Sequence, residues 1–178
     1  MKKFNYYLIA LILVVPLLSY SQNGATASNG DLSVKKNEIK LGFGKLLSGP
    51  KIDLEFEHYF GPSTSWGANL ALAIGNNDSY YNNLIMTYFR FYFTETRAYG
   101  TSGFFAQPSI GFIGGESDDY SANKQFNAFG AGFSLGQKWF NRHGFSLQVS
   151  YGGMRRFSGG DDIPEVFFIG DVYMGFRF

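Results

Sequence analysis

The chain has 178 residues, room for one domain, and is 19% aromatic with 23 Gly, 20 Phe, only 16% charged residues and no Cys. The missing Cys excludes a disulfide framework and thiolate chemistry. A formal charge of +1 gives no reason to expect a nucleic acid or other highly charged partner.

The first 21 residues read as a secretory signal peptide. Lys2 and Lys3 supply the positive start, Leu8 to Leu18 (LIALILVVPLL) the apolar core, and Ser19-Tyr20-Ser21 a cleavage site before Gln22. The apolar run is too short for a helix that must cross a bilayer with ~20 residues, and it contains Pro16. Its removal leaves the remainder with one excess negative charge. Residues 22–36, rich in Asn, Gly, Ser, Ala and Thr without periodicity, are expected to be a flexible lead-in to a domain spanning 37–178. No later stretch has transmembrane-helix length, so any membrane-spanning part must be made of strands.

From Asn37 onward apolar and polar residues alternate with period two, the pattern of strands with unlike faces. The first predicted strand, about 38–47, sets Ile39, Leu41, Phe43 and Leu47 against Glu38, Lys40, Gly42 and Gly44. The second, about 51–60, sets Ile52, Leu54 and Phe56 against Asp53, Glu55 and Glu57. The third spans about 66–75, and the fourth, about 84–93, opposes Ile85, Phe89, Phe91 and Phe93 to Tyr88, Arg90 and Tyr92. The fifth, about 103–114, contains Pro108, which lacks an N–H and predicts a bulge. The sixth (about 126–140) and seventh (about 145–153) are joined by the short turn Asn141 to Gly144. The last, ending FIGDVYMGFRF, places Phe178, Phe176, Met174 and Val172 on one face and Arg177, Tyr173 and Asp171 on the other. Eight alternating segments predict an all-β, eight-stranded antiparallel up-and-down transmembrane β-barrel.

Alternation alone is also compatible with a soluble lipocalin-like barrel, apolar inside and binding a lipid. The polar set separates the two. It is dominated by Gly, Ala and Ser, with charges gathered at Glu38, Lys40, Asp53, Glu55, Glu57, Arg90, Lys138, Asp171 and Arg177. Small residues with nearly balanced charges suit a narrow barrel interior better than a water-facing surface. Lys45 and His58 fall on the lipid-facing parity, near strand ends where their polar tips reach the interface. Strands of ~10 residues at ~3.3 Å, tilted ~45°, cover roughly 23 Å, close to the ~25 Å apolar band of such barrels. Aromatic residues mark two belts: Tyr59, Phe60, Trp66, Phe93, Phe104, Trp139, Phe140, Phe145 and Phe178 at one rim, and Tyr80, Tyr81, Phe112, Tyr120, Phe126, Tyr151 and Phe167 at the other.

The opening NEIKLGFGKLLSG with IDLEFEHYFG, then YFRFYF, GFFAQPSIGF and GAGFSLGQKWF, resembles small Gram-negative outer-membrane β-barrel proteins without an assigned function. More loosely, the chain is similar to the barrels of OmpA and OmpX. The resemblance covers about residues 37–178 and implies a place in the cell outer membrane among lipid and lipopolysaccharide. It further implies that the aromatic end, Phe176 and Phe178, is the signal read by the barrel-assembly machinery. The peptidoglycan-binding domain that follows the barrel in OmpA is not expected here.

Catalytic chemistry finds little support. Two histidines, His58 and His143, do not make a metal site, which needs three or four converging ligands. A lipid hydrolase would need a Ser–His–acid set at the outer leaflet, and hairpin parity puts both histidines at the periplasmic rim. Glu55 and Glu57 could be read as acid/base groups, but pairing with Arg90, Lys138 or Arg177 is the simpler account. The Gly-x-Gly pairs at 42/44 and 130/132 lie within strands, so they are no nucleotide loop. Glu116, Asp118 and Asp119 form an acidic loop tip, and Arg155 and Arg156 are candidates to contact lipopolysaccharide phosphates. The expectation is a monomeric, non-catalytic barrel with a structural or surface-interaction role, no cofactor, and an interior plugged by small and charged residues. A narrow pore for ions or small solutes is the alternative.

Overall fold

The computed structural model describes residues 35–48, 51–61, 63–74, 81–93, 102–117, 124–141, 143–159 and 163–178. The signal peptide, the lead-in as far as residue 34, Tyr80, Tyr120, and the loop acids Asp118, Asp119, Asp161 and Asp162 lie outside them. The strands are β1 (Asn37–Gly42), β2 (Lys51–Tyr59), β3 (Thr64–Ala73), β4 (Asn83–Tyr92), β5 (Gly103–Ser117), β6 (Lys124–Phe140), β7 (Phe145–Arg156), β8 (Val166–Ile169) and β9 (Val172–Arg177). A helical turn, α1 (Gly44–Ser48), follows β1. Among the described residues no helix is long and apolar enough to cross a membrane.

From β1 to β8 each strand pairs antiparallel with its neighbours in sequence, and β9 pairs with β7 on one side and β1 on the other, so the sheet closes on itself. β8 and β9 are two parts of one stave. Gly152 pairs with Ile169 and Val149 with Val172, three residues on along β7 and three back along the partner, so the register is unbroken. The pause falls at Gly170 and Asp171, which makes eight staves in all. Asn37, Phe178 and the turns after β2 and β6 form the near rim; α1 and the connection between β7 and β8 belong to the far rim.

Side chains follow the period-two pattern and are turned inside out relative to a soluble protein. Ile39, Leu54, Ile85, Phe89, Ile110, Phe112, Phe133 and Met174 are exposed, whereas Glu38, Asp53, Glu57, Arg90 and Gln148 are fully buried. Greasy residues thus form the outer wall and ionic ones the centre. A lipocalin-like core is the reverse arrangement.

Several expectations need correction. The first strand stops at Gly42, where a Cβ would strike Asp53 and Asp171, and the chain turns into α1. Lys45 is therefore not on the lipid face; it is buried and its ammonium meets Asp53. Pro108 creates no bulge. Tyr88 pairs with Ser109 and Phe91 with Ala106, three residues along each strand, so the ladder to β4 merely lapses where the proline has no N–H to give. The aromatic belts are thinner than parity-blind clustering implied, because Tyr59, Tyr81 and Phe167 are buried inside the barrel. Finally, β5, β6 and β7 run on to Ser117, from Lys124 and to Arg156, raising a taller wall on that side.

Candidate functional site in the barrel interior

The interior has two layers. Toward the near rim lies an ionic network, and its hub is Glu57 on β2. Its carboxylate accepts from Arg90 Nη1 at 2.7 Å, Lys138 Nζ at 3.2 Å and Tyr92 Oη at 2.7 Å, and also from Lys40 and Ser65. Glu55, two residues earlier and so on the same face, accepts from Lys40 at 2.6 Å, Arg90 Nη2 at 3.0 Å and Tyr88 at 2.8 Å. Arg90 also donates from Nε to Gln107 at 2.9 Å and from Nη1 to Gln148 at 2.8 Å, while the Tyr88 and Phe105 rings lie against its faces. Glu38 gathers Lys138, Tyr59 and Ser146. Carboxylates with this many donors satisfy their lone pairs despite burial, which is what makes a buried ionic cluster tolerable.

Glycine makes the close approach possible. At Gly67 on β3 an added Cβ would run into the Tyr88 ring and hydroxyl and the Phe56 carbonyl. The tyrosine therefore crosses above β3 to reach Glu55.

Farther up, Asp53 accepts from Lys45, Asn69 and, at 3.2 Å, Tyr173. Asp171 turns its carboxylate to the Lys45 backbone amide, 3.2 Å from each oxygen, and to its own neighbour Val172 N at 2.6 Å. Burial draws the Lys45 ammonium toward a lower pKa, but Asp53 beside it, together with Tyr81 and Asp171, outweighs that and holds it above the ordinary lysine value. Beyond this level the interior is largely apolar: Ala71, Tyr81, Leu84, Met86, Ile113, Met154, Phe167 and Ile169 pack into one cluster, and the buried Lys51 sets its ammonium 3.6 Å from the centre of the Tyr81 ring.

The nine charged residues singled out from sequence all lie inside. Eight belong to these two polar groups by direct hydrogen bonds, and Arg177 stands 3.9 Å from Glu38. Sequence reasoning missed Lys45, because it placed that residue in a strand. It also missed Gln107, Gln148, Ser65, Asn69, Ser146 and the tyrosines as network members; their inward parity was the available signal.

The remaining candidates are scattered. Phe178 is exposed at the near rim, and its N–H donates to Asn37 O at 2.8 Å. Phe176 stacks edge-on against Phe145 at 5.3 Å. Arg155 is exposed, 3.9 Å from Glu165, whereas Arg156 donates to the carbonyls of Gly159, Ile163 and Pro164 and clasps the connection between β7 and β8. His58 is hydrogen-bonded to Asn37 at 2.8 Å, and His143 lies exposed in the turn before β7.

No protein-family model and no curated protein matches the chain. Its fold is similar to the crystal structure of the N-terminal β-barrel domain of Pseudomonas aeruginosa OprF, with a TM-score of 0.56 and 12% identity over 81% of this chain and 98% of that one. At that identity the likeness speaks to architecture: this chain folds as an all-β, closed eight-stranded antiparallel up-and-down barrel.

Proposed function

We propose that this protein is a monomeric outer-membrane β-barrel with a structural or surface-interaction role, without catalysis, whose interior is plugged. The observation that carries the reading is the inverted surface: a continuous wall of exposed Leu, Ile, Val and Phe around a buried ionic centre. In water such a wall would far exceed the apolar patch a monomer tolerates; in a bilayer it is the matching surface, and closure leaves no unpaired edge around most of the circumference. The likeness to the OprF barrel domain supports the same placement. The ionic layer and the apolar layer above it supply the plug, and outer-membrane lipid is the surrounding partner. Assembly by the barrel machinery through Phe176 and Phe178, and contact of Arg155 with lipopolysaccharide phosphates, belong to this reading. Arg156 serves the loop instead.

Fractionation with gel electrophoresis of heated and unheated samples tests the placement. The chain is expected in the outer membrane, migrating faster unheated. Planar-bilayer recording tests the plug: large, steady single-channel currents would make the protein a pore. Charge reversal at Arg155 is expected to increase sensitivity to polymyxin, and unchanged sensitivity removes the lipopolysaccharide contact.

A further inference from the structure

Among the described residues the ionic layer at the near rim does not balance. Three carboxylates, Glu38, Glu55 and Glu57, face four cations, Lys40, Arg90, Lys138 and Arg177, every one of them buried. Lys40, Arg90 and Lys138 each hold a carboxylate directly. Arg177 does not. Its nearest carboxylate oxygen, on Glu38, is 3.9 Å from Nε, beyond hydrogen-bond reach. Glu38 is in any case occupied by Lys138, Tyr59 and Ser146.

Arg177 is 1% exposed, and among the described residues its Nε and Nη2 have no hydrogen-bond partner. Tyr59 lies 3.6 Å from its centre and Phe140 4.9 Å. Rings engage the flat face of a guanidinium, whereas its N–H groups point outward in the plane and still require acceptors. The acids farther up are committed elsewhere: Asp53 to Lys45, Asn69 and Tyr173, Asp171 to the Lys45 and Val172 amides. A buried cation with two idle donors, whose nearest carboxylate is out of hydrogen-bond reach and shared with Lys138, is the arrangement an anion relieves.

We propose that Arg177 forms the heart of a binding site for a small monovalent anion, of chloride size, held in the guanidinium plane at Nε and Nη2. One unit of charge is unmatched, so one negative charge completes the layer. A divalent anion such as phosphate would bring surplus charge beside Glu38 and is disfavoured. The near rim, where Arg177 neighbours the chain's last residue, is the route of entry.

The test uses the full chain in non-ionic detergent, with sodium chloride exchanged for sodium gluconate at constant ionic strength, and follows unfolding. Chloride is expected to raise the folding equilibrium constant, approaching tenfold for each tenfold rise above its dissociation constant, while gluconate does not. Arg177→Met should abolish the difference. Glu38→Gln, which removes a competing negative charge, should enlarge it. Crystals soaked in bromide supply a readout independent of whether Arg177→Met folds: an anomalous peak within contact of Arg177 is expected. Equal stability in chloride and gluconate for the parent and Glu38→Gln chains, or bromide scattering absent from Arg177, overturns the proposal and leaves water as the occupant.

Discussion

Glu57 on β2 and Arg90 on β4 meet at 2.7 Å across the inner face of β3, the strand that separates them, and Ser65 of β3 donates to the same carboxylate. Three consecutive strands are thus tied by one side chain, in addition to the ladder that joins each adjacent pair. The tie is possible because closing eight strands brings inward residues of non-neighbouring strands within reach.

Removing the hub leaves Lys40, Arg90 and Lys138 short of a counter-charge. Glu57→Gln is expected to destabilise the barrel by about 3–5 kcal/mol, as for other buried pairs broken from one side. Arg90→Met should cost a comparable amount, and the double variant clearly less than the two together, because both act on one network. Urea unfolding of barrels folded into vesicles measures all three. Strict additivity would mean that the two residues do not share an interaction.

A methyl group at Gly67 has nowhere to go. Gly67→Ala must push Tyr88 off Glu55 or distort the backbone at Phe56, at a cost of about 1–3 kcal/mol. Gly61→Ala is the control, since the nearest atom to its added Cβ is Thr64 Oγ1 at 3.9 Å. The same unfolding experiment should separate the two variants, and a harmless Gly67→Ala would contradict the packing described for Tyr88.

Placement in a bilayer makes position on the wall matter. Ile110, half exposed at the middle of β5, should cost about 2–4 kcal/mol when changed to Arg, while Leu47→Arg on α1 at the far rim should cost at most about 1 kcal/mol. Folding yield into phospholipid vesicles reports the difference. If both variants fold equally well, the wall does not face hydrocarbon.

The seam between the first and last staves is closed only in part. β1 is bonded to β9 as far as Gly42 opposite Tyr173, with Phe43 N reaching Val172 O at 2.7 Å, and β8 has β7 as its single ladder partner among the described residues. At that height Asp171 and the Lys45–Asp53 pair hold α1 in place of further rungs. Asp171→Ala is expected to leave the barrel folded yet speed tryptic cleavage after Lys45 about tenfold, the equivalent of roughly 1.4 kcal/mol of local stability. Unchanged cleavage would show that the carboxylate does not latch the turn.

Period two is a property of each strand taken alone, since successive side chains leave an extended backbone on opposite sides. That is why Glu55 and Glu57 were legible as neighbours on one face with Phe56 on the other, and why the charged set could be assigned to the inside. The same rule misled at Lys45, because a strand was extended through residues where Gly42 and Gly44 are needed to admit Asp171. It also left Leu84, Met86, Ile113 and Ile169 without a role, since apolar residues on inward parity acquire one only when they gather into a cluster.

Amino-acid order alone therefore established strand count, facing and the inversion of greasy and ionic surfaces, all of which depend on backbone geometry within short segments. Closure into a cylinder settled who meets whom: Glu57 with three cations, Lys45 with Asp53, and Arg177 with no acceptor for Nε and Nη2 among the described residues. Those pairings follow from curvature and stagger between strands a hundred residues or more apart, as with Glu38 and Lys138 or Asp53 and Tyr173, and no local pattern encodes them.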